Sequence, residues 1–163
     1  MPGIEDLVRV MESVYAQIDA RASEIEGRLP LHCRKGCCAC CLDDLTVFQC
    51  EAEVIRHCCG DVLQEAPNAK GSCAFLDKDG ACRIYSHRPY VCRTHGLPLC
   101  WLSENDEECR DICELNKDID TEKLDTGDCW NIGPVEAHLS RVESVFFGEN
   151  AGKRIKLRDL FQK

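Results

Sequence analysis

The chain has 163 residues, 15 of them cysteine, and a formal net charge of −9. That length suits one domain with a modest core. The acidic balance excludes nucleic acid as an expected partner, and no apolar run is long enough to make a membrane one.

Residues 3–29 carry Ile4, Leu7, Val8, Met11, Val14, Ile18, Ala22, Ile25 and Leu29 at the three-and-four spacing of an amphipathic helix, with Pro30 as its stop. Residues 32–46 read as a cysteine-rich loop in which Gly36 lets the backbone turn tightly. Gln49 to Glu65 predicts a second helix with Gly60 as its weak point, followed by a polar connector, Pro67 to Ser72. Cys73 to Tyr85 predicts a short hairpin turning at Asp77-Lys78-Asp79-Gly80. Tyr90 to Thr94 predicts a helical turn with Pro89 at its first position. Residues 99–118 predict a helix with an acidic, solvated face, and 119–129 a loop. Pro134 to Phe147 predicts a further amphipathic helix, and Arg154 to Phe161 fits either a short strand or a docking helix. The expected fold is therefore a mainly α, small single domain spanning 1–163. Its helices and irregular cysteine-rich loops surround a metal centre, with one short hairpin. An N-terminal helix (1–30) precedes the cysteine-cluster region (31–130) and a C-terminal helix and tail (131–163).

The opening Met1-Pro2-Gly3-Ile4-Glu5-Asp6 reads as no secretory signal, so the expected compartment is the cytoplasm. An odd number of thiols in a reducing compartment points to metal or redox chemistry rather than to a disulfide framework. Charge is uneven along the chain. Residues 104–128 hold eleven acids against Arg110, Lys117 and Lys123, whereas Cys82 to His95 holds Arg83, Arg88 and Arg93 and no acid. Basic residues beside cysteines offset thiolate charge and lower thiol pKa.

The densest feature is Cys33-Arg34-Lys35-Gly36-Cys37-Cys38-Ala39-Cys40-Cys41, five thiols in nine residues. Thiolates repel one another, so such packing is favourable when cations neutralise them or oxidation pairs them. Cys33, Cys37 and Cys40 fit C-x3-C-x2-C, short spacings that let one loop wrap a metal while a distant ligand closes the shell. Adjacent side chains point apart, so Cys40 and Cys41 suit two metals or a cluster of several irons. The same spacing occurs in radical S-adenosylmethionine enzymes. Those set it after a first barrel strand, and here it follows a helix with no βα alternation.

A second cluster runs from Cys73-Ala74-Phe75-Leu76 through Gly80, Cys82-Arg83-Ile84-Tyr85 and Arg88-Pro89-Tyr90-Val91-Cys92-Arg93. Together with the first it resembles the YkgJ-type cysteine-cluster family, described as zinc- or iron-chelating and labelled iron–sulfur-cluster-containing. The family pattern is C-x3-C-x2-C-C, then a cysteine before a glycine-bearing turn, C-x-I-Y, R-P-x-x-C and an arginine. The resemblance covers about residues 33–95 and implies seven metal ligands: Cys33, Cys37, Cys40, Cys41, Cys73, Cys82 and Cys92. Cys38 stands where the family commonly has glycine and is not carried over.

An eighth ligand is open among Cys100, Cys109, Cys113, Cys129, His87 and His95, with Cys129 the first choice because it follows a long loop. Cys109 and Cys113, four apart, would share a face of a helix. Cys58 and Cys59 read as core thiols. Tyr85, Arg88 and Arg93 are expected to donate to the sulfurs, orienting ligands and tuning potential; the plainer alternative pairs Arg88 with an acid elsewhere. No Ser/His/Asp arrangement, phosphate loop or paired carboxylate stands out, so any catalysis would be carried by the centre. The expected function is that of an iron–sulfur protein, with a 4Fe-4S cluster as one form of its cofactor and a redox or cluster-dependent role. A zinc module with a structural or protein-interaction role is the alternative, and a metal store or carrier is a third reading. The metal is expected to supply much of the stability of the fold.

Overall fold

The computed structural model describes residues 2–34 and 36–162. Helix α1, Ile4–Glu26, buries Leu7, Met11, Val14, Tyr15, Ile18, Ala22 and Ile25 along one stripe. At its start the Gly3 N–H donates to the Asp6 carboxylate at 3.1 Å, satisfying one of the donors a helix N-terminus leaves free. The helix stops before Pro30, where the Gly27 N–H closes on the Ser23 carbonyl at 3.0 Å. The thiol-bearing loop leads to strand β1, Thr46–Phe48, and directly into helix α2, Gln49–Cys58. The expected single helix over 49–65 breaks at Cys59 (φ −121°, ψ 27°), and a short helix α3 follows at Gly60–Gln64.

Residues 65–89 are mostly turn and loop. The segment expected as a hairpin makes one isolated bridge, Leu76 to Cys82. Its turn is organised by the Asp77 carboxylate, which accepts from the N–H groups of Asp79 (2.8 Å) and Ala81 (2.9 Å). Helix α4, Tyr90–Thr94, starts after Pro89. The chain then forms strands β2 (Leu99–Leu102) and β3 (Glu108–Asp111), which pair antiparallel, and β4 (Trp130–Asn131), which lies parallel to β2. Helix α5, Ile132–Phe147, is capped by the Asn131 side chain accepting from Gly133 N–H. Strand β5, Arg154–Lys156, returns to pair antiparallel with β1, and a 3-10 turn spans Leu157–Phe161.

The expectation of a mainly α domain around a metal centre is corrected here. About half the chain is helical (49 %) and 11 % is strand, in one two-stranded and one three-stranded sheet. The segment expected as a helix over 99–118 is the β2–β3 hairpin plus a 3-10 turn at Glu114–Asn116. Its partner β4 lies some thirty residues away, so local composition does not reveal the pairing, and tertiary pairing overrides helix propensity there. Asp106 takes φ 58° in the tight connection, a conformation that aspartate tolerates better than most residues. The fold is organised around apolar clusters, not around thiols. One cluster joins α1, α2 and α5 with Tyr90, Leu97 and Trp130. The other joins Val47, Ala52, Ile55, Phe75, Leu76, Ile84, Leu157 and Leu160. No helix among the described residues is long and apolar enough to cross a membrane.

Candidate metal centre

A cavity of about 570 Å³ opens between α1, the cysteine loop and the segment 73–95. Cys33, Cys37, Cys40, Cys41, Cys73, Cys82 and Cys92 all line it. They arrive from distinct local structures: an irregular loop for the first four, the Asp77 turn for Cys73 and Cys82, and α4 for Cys92. The wall has two parts. Cys41 packs with Cys73 and Cys82 against the second apolar cluster, and the Cys73 N–H donates to the Cys41 carbonyl at 2.9 Å. Cys33 instead is held by Asn116, whose Nδ2 lies 3.1 Å from its Sγ. All fifteen cysteines are free thiols. Among the described residues no group of three or more His, Cys, Asp or Glu side chains is arranged to hold a single metal ion.

Charge on these sulfurs is governed by burial and by donors. Desolvation pushes the Cys73, Cys82 and Cys92 thiols up. Opposing it, the backbone N–H groups of Phe75 and Ile84 donate to the sulfurs of Cys73 and Cys82, each from two residues downstream. The vicinal pair is polarised: Cys41 donates to Cys40, which with His95 and Arg88 nearby draws the Cys40 thiol down to about 6, while Cys41 is pushed up. Desolvation raises Cys33, and its hydrogen bond from Asn116 works against that rise. Seven thiols lining one cavity, with backbone or amide donors on several of their sulfurs, are chemically the kind of side chains that bind thiolate-held metal groups.

The three expected donors differ in what they do. Tyr85 and Arg88 line the cavity, with the Arg88 guanidinium 3.8 Å from the Tyr85 ring centroid and its Nε donating to the Tyr85 carbonyl at 3.1 Å. Among the described residues Arg88 forms no ion pair, and its charge favours the thiolates of Cys40, Cys82 and Cys92. Arg93 has its donors occupied elsewhere. It is paired with Asp19 at 2.6 Å, bonded to the carbonyls of Arg88 (2.6 Å) and Ser86 (2.9 Å), and stacked over Tyr15. Arg93 therefore braces the 86–93 turn against α1 instead of reaching a sulfur. Arg83 does the same on the other side, donating to the Ala66 and Ala74 carbonyls and pairing with Glu65.

Cys129 is not among the lining residues. It is buried near Cys100, with which it shares a hydrogen bond, and the Arg110 Nη1 lies 3.9 Å from its sulfur. The cavity instead brings His95 to its wall, and Cys113 is the thiol whose charge acts most on Cys33. Cys109 and Cys113 share no helix face: Cys109 is on β3 and Cys113 precedes the Glu114–Asn116 turn. Cys38 is exposed beside Gly80, and Cys59 packs into the second apolar cluster with its thiol raised by burial to about 11.

Sequence patterns did not disclose three polar residues that hold this wall in place. Glu51, 1 % exposed, accepts from the N–H groups of Phe48 (3.1 Å) and Tyr90 (2.6 Å) and from the Tyr15 hydroxyl (3.3 Å), fixing the start of α4. Arg158 pairs with Asp43 of the cysteine loop and donates to the carbonyls of Asn68, Ala69 and Ser72. Asn116 is the third. No family model matches the chain, and no curated protein or solved structure matches it either.

Proposed function

We propose that this chain is a cysteine-ligated metal-binding protein whose thiol ring holds an iron–sulfur cluster in a redox or cluster-dependent role. The observation that carries the reading is the convergence of seven thiols from sequence-distant segments on one cavity. The resemblance to the YkgJ-type family, which rests on those same seven cysteines, supports it. Cys33, Cys37, Cys40, Cys41, Cys73, Cys82 and Cys92 would hold the group, and a bound cluster supplies one-electron chemistry. The chain's own contribution is to gather the thiolates, lower their mutual repulsion through Arg88, and direct amide donors at sulfur. Fifteen free thiols fit a cytoplasmic location, where they stay reduced.

Zinc is the second reading: two closed tetrahedral sites take eight ligands, and His95 on the cavity wall would stand as the eighth beside the seven thiols. One experiment separates the two. The protein is purified without oxygen and assayed for visible absorption, iron, zinc and acid-labile sulfide. Brown protein with iron and sulfide is the expected result. Colourless protein with two zinc per chain selects the second reading. No retained metal from cells supplied with both would sink both readings. Cys37→Ser and Cys92→Ser are each expected to lower metal content, and full content in both would overturn the ligand assignment.

A further inference from the structure

We infer that Asn116 is a positioning residue for Cys33, its side-chain amide setting where that sulfur meets whatever the ring holds. The inference rests on the metal-binding reading only for the identity of that group. Asn116 is 0 % exposed, in the turn that follows β3. Burying an amide costs free energy unless its donors and acceptor are used, and here they are. Its Oδ1 accepts the His32 N–H at 2.7 Å, and its Nδ2 donates to the Gly96 carbonyl at 3.0 Å and to Cys33 Sγ at 3.1 Å.

The network fixes which end of the amide faces the sulfur. Flipped, Asn116 would set its oxygen against the Gly96 carbonyl, an acceptor, and its NH2 against the His32 N–H, a donor. An apolar residue would fill the same space without that cost, so space-filling does not account for an asparagine. Gly96 meets the same sulfur from another side: a Cβ there would stand 2.7 Å from Cys33 Sγ. Two segments far apart in sequence thus converge on one thiol, and Asn116 bonds to Gly96, to Cys33 and to His32, the residue preceding Cys33. Among the described residues Cys33 is the one cavity thiol that takes a hydrogen bond from a side-chain amide.

The test has two arms. Asn116→Leu keeps the size, adds no charge and removes the donor to Cys33. In metal-free protein at neutral pH, site-resolved alkylation by iodoacetamide should slow at Cys33 by about tenfold, the size expected for losing a hydrogen bond to a charged acceptor. The rate at Cys92 should not change. An unchanged Cys33 rate overturns the inference, and so does a rise at both thiols, which would make Asn116 a structural plug. The second arm needs no variant. In wild-type protein loaded with cadmium-113, a scalar coupling should connect an Asn116 side-chain amide proton to the metal through the Cys33 sulfur. Bound cadmium without that coupling overturns the inference. Failure to take up cadmium counts against the metal-binding reading, and the alkylation result alone then decides the role of Asn116.

Discussion

A Cβ on Gly96 would collide with the Cys33 sulfur, and the residue sits at φ +107°, where L side chains are strained. Gly96→Ala therefore combines backbone strain, about 1–3 kcal/mol at such positions, with displacement of a cavity thiol. It should melt lower than wild type and retain less metal; equal melting and equal metal would show that the close approach has no consequence. Glu51 makes a pH prediction. Burial raises its carboxyl above the usual range, against the pull of three donors. A carboxyl raised in the folded state contributes stability that is complete below its unfolded pKa and lost as pH rises through the folded one. Wild type should thus lose melting temperature relative to Glu51→Gln as pH rises from about 4.5. A constant difference across the series would mean that Glu51 does not titrate with folding. The thiols were legible in the sequence because cysteine spacing is a local pattern. Glu51, Asn116 and Arg158 were not, because polar residues on helix and loop segments read as solvated until distant segments cover them.

At the scale of elements, what could be read was what is periodic. The apolar stripes of α1 and α5 specify both helices, and Pro89 opens α4. What could not be read was pairing at a distance: β1 with β5, and β2 with β4. The four acids and one basic residue of 104–110 sharpened the error, since a charged face suits a helix and a solvated hairpin equally. The cysteine loop itself has little regular structure, so its shape depends on clamps from elsewhere. Arg158 is the main one, tying Asp43 to the 66–72 connector through one ion pair and three carbonyls. Arg158→Ala should lower the melting temperature by about 5 °C and speed proteolysis between residues 66 and 72. Arg158→Lys should recover only part of this, because an ammonium cannot span the same set of acceptors. Unchanged cleavage in the alanine variant would remove the clamp from the account.

Across the whole molecule, the two apolar clusters divide the labour. The first, built on α1, α2 and α5, contains none of the seven cavity thiols, whereas the second includes Cys73 and has Cys41 and Cys82 packed against it. Stripping metal should therefore act unevenly. Hydrogen exchange is expected to rise in residues 33–45 and 73–92 and to stay near its loaded level through α1 and α5. An equal rise across all helices would mean that one cooperative unit senses the centre. The acidic segment 104–128 is expected to follow the centre in part, since Asn116 joins it to Cys33.

The pairing of β1 with β5 and the bond from Arg158 to Asp43 also set an order of events during synthesis. The loop bearing Cys33, Cys37, Cys40 and Cys41 leaves the ribosome early, yet its clamp lies 115 residues beyond Asp43. For the time needed to translate that stretch, the loop lacks both the Arg158 clamp and the pairing of β1 with β5. The finished ring is a late product of translation, and the nascent protein depends on its surroundings to keep those thiols reduced until the last strand arrives.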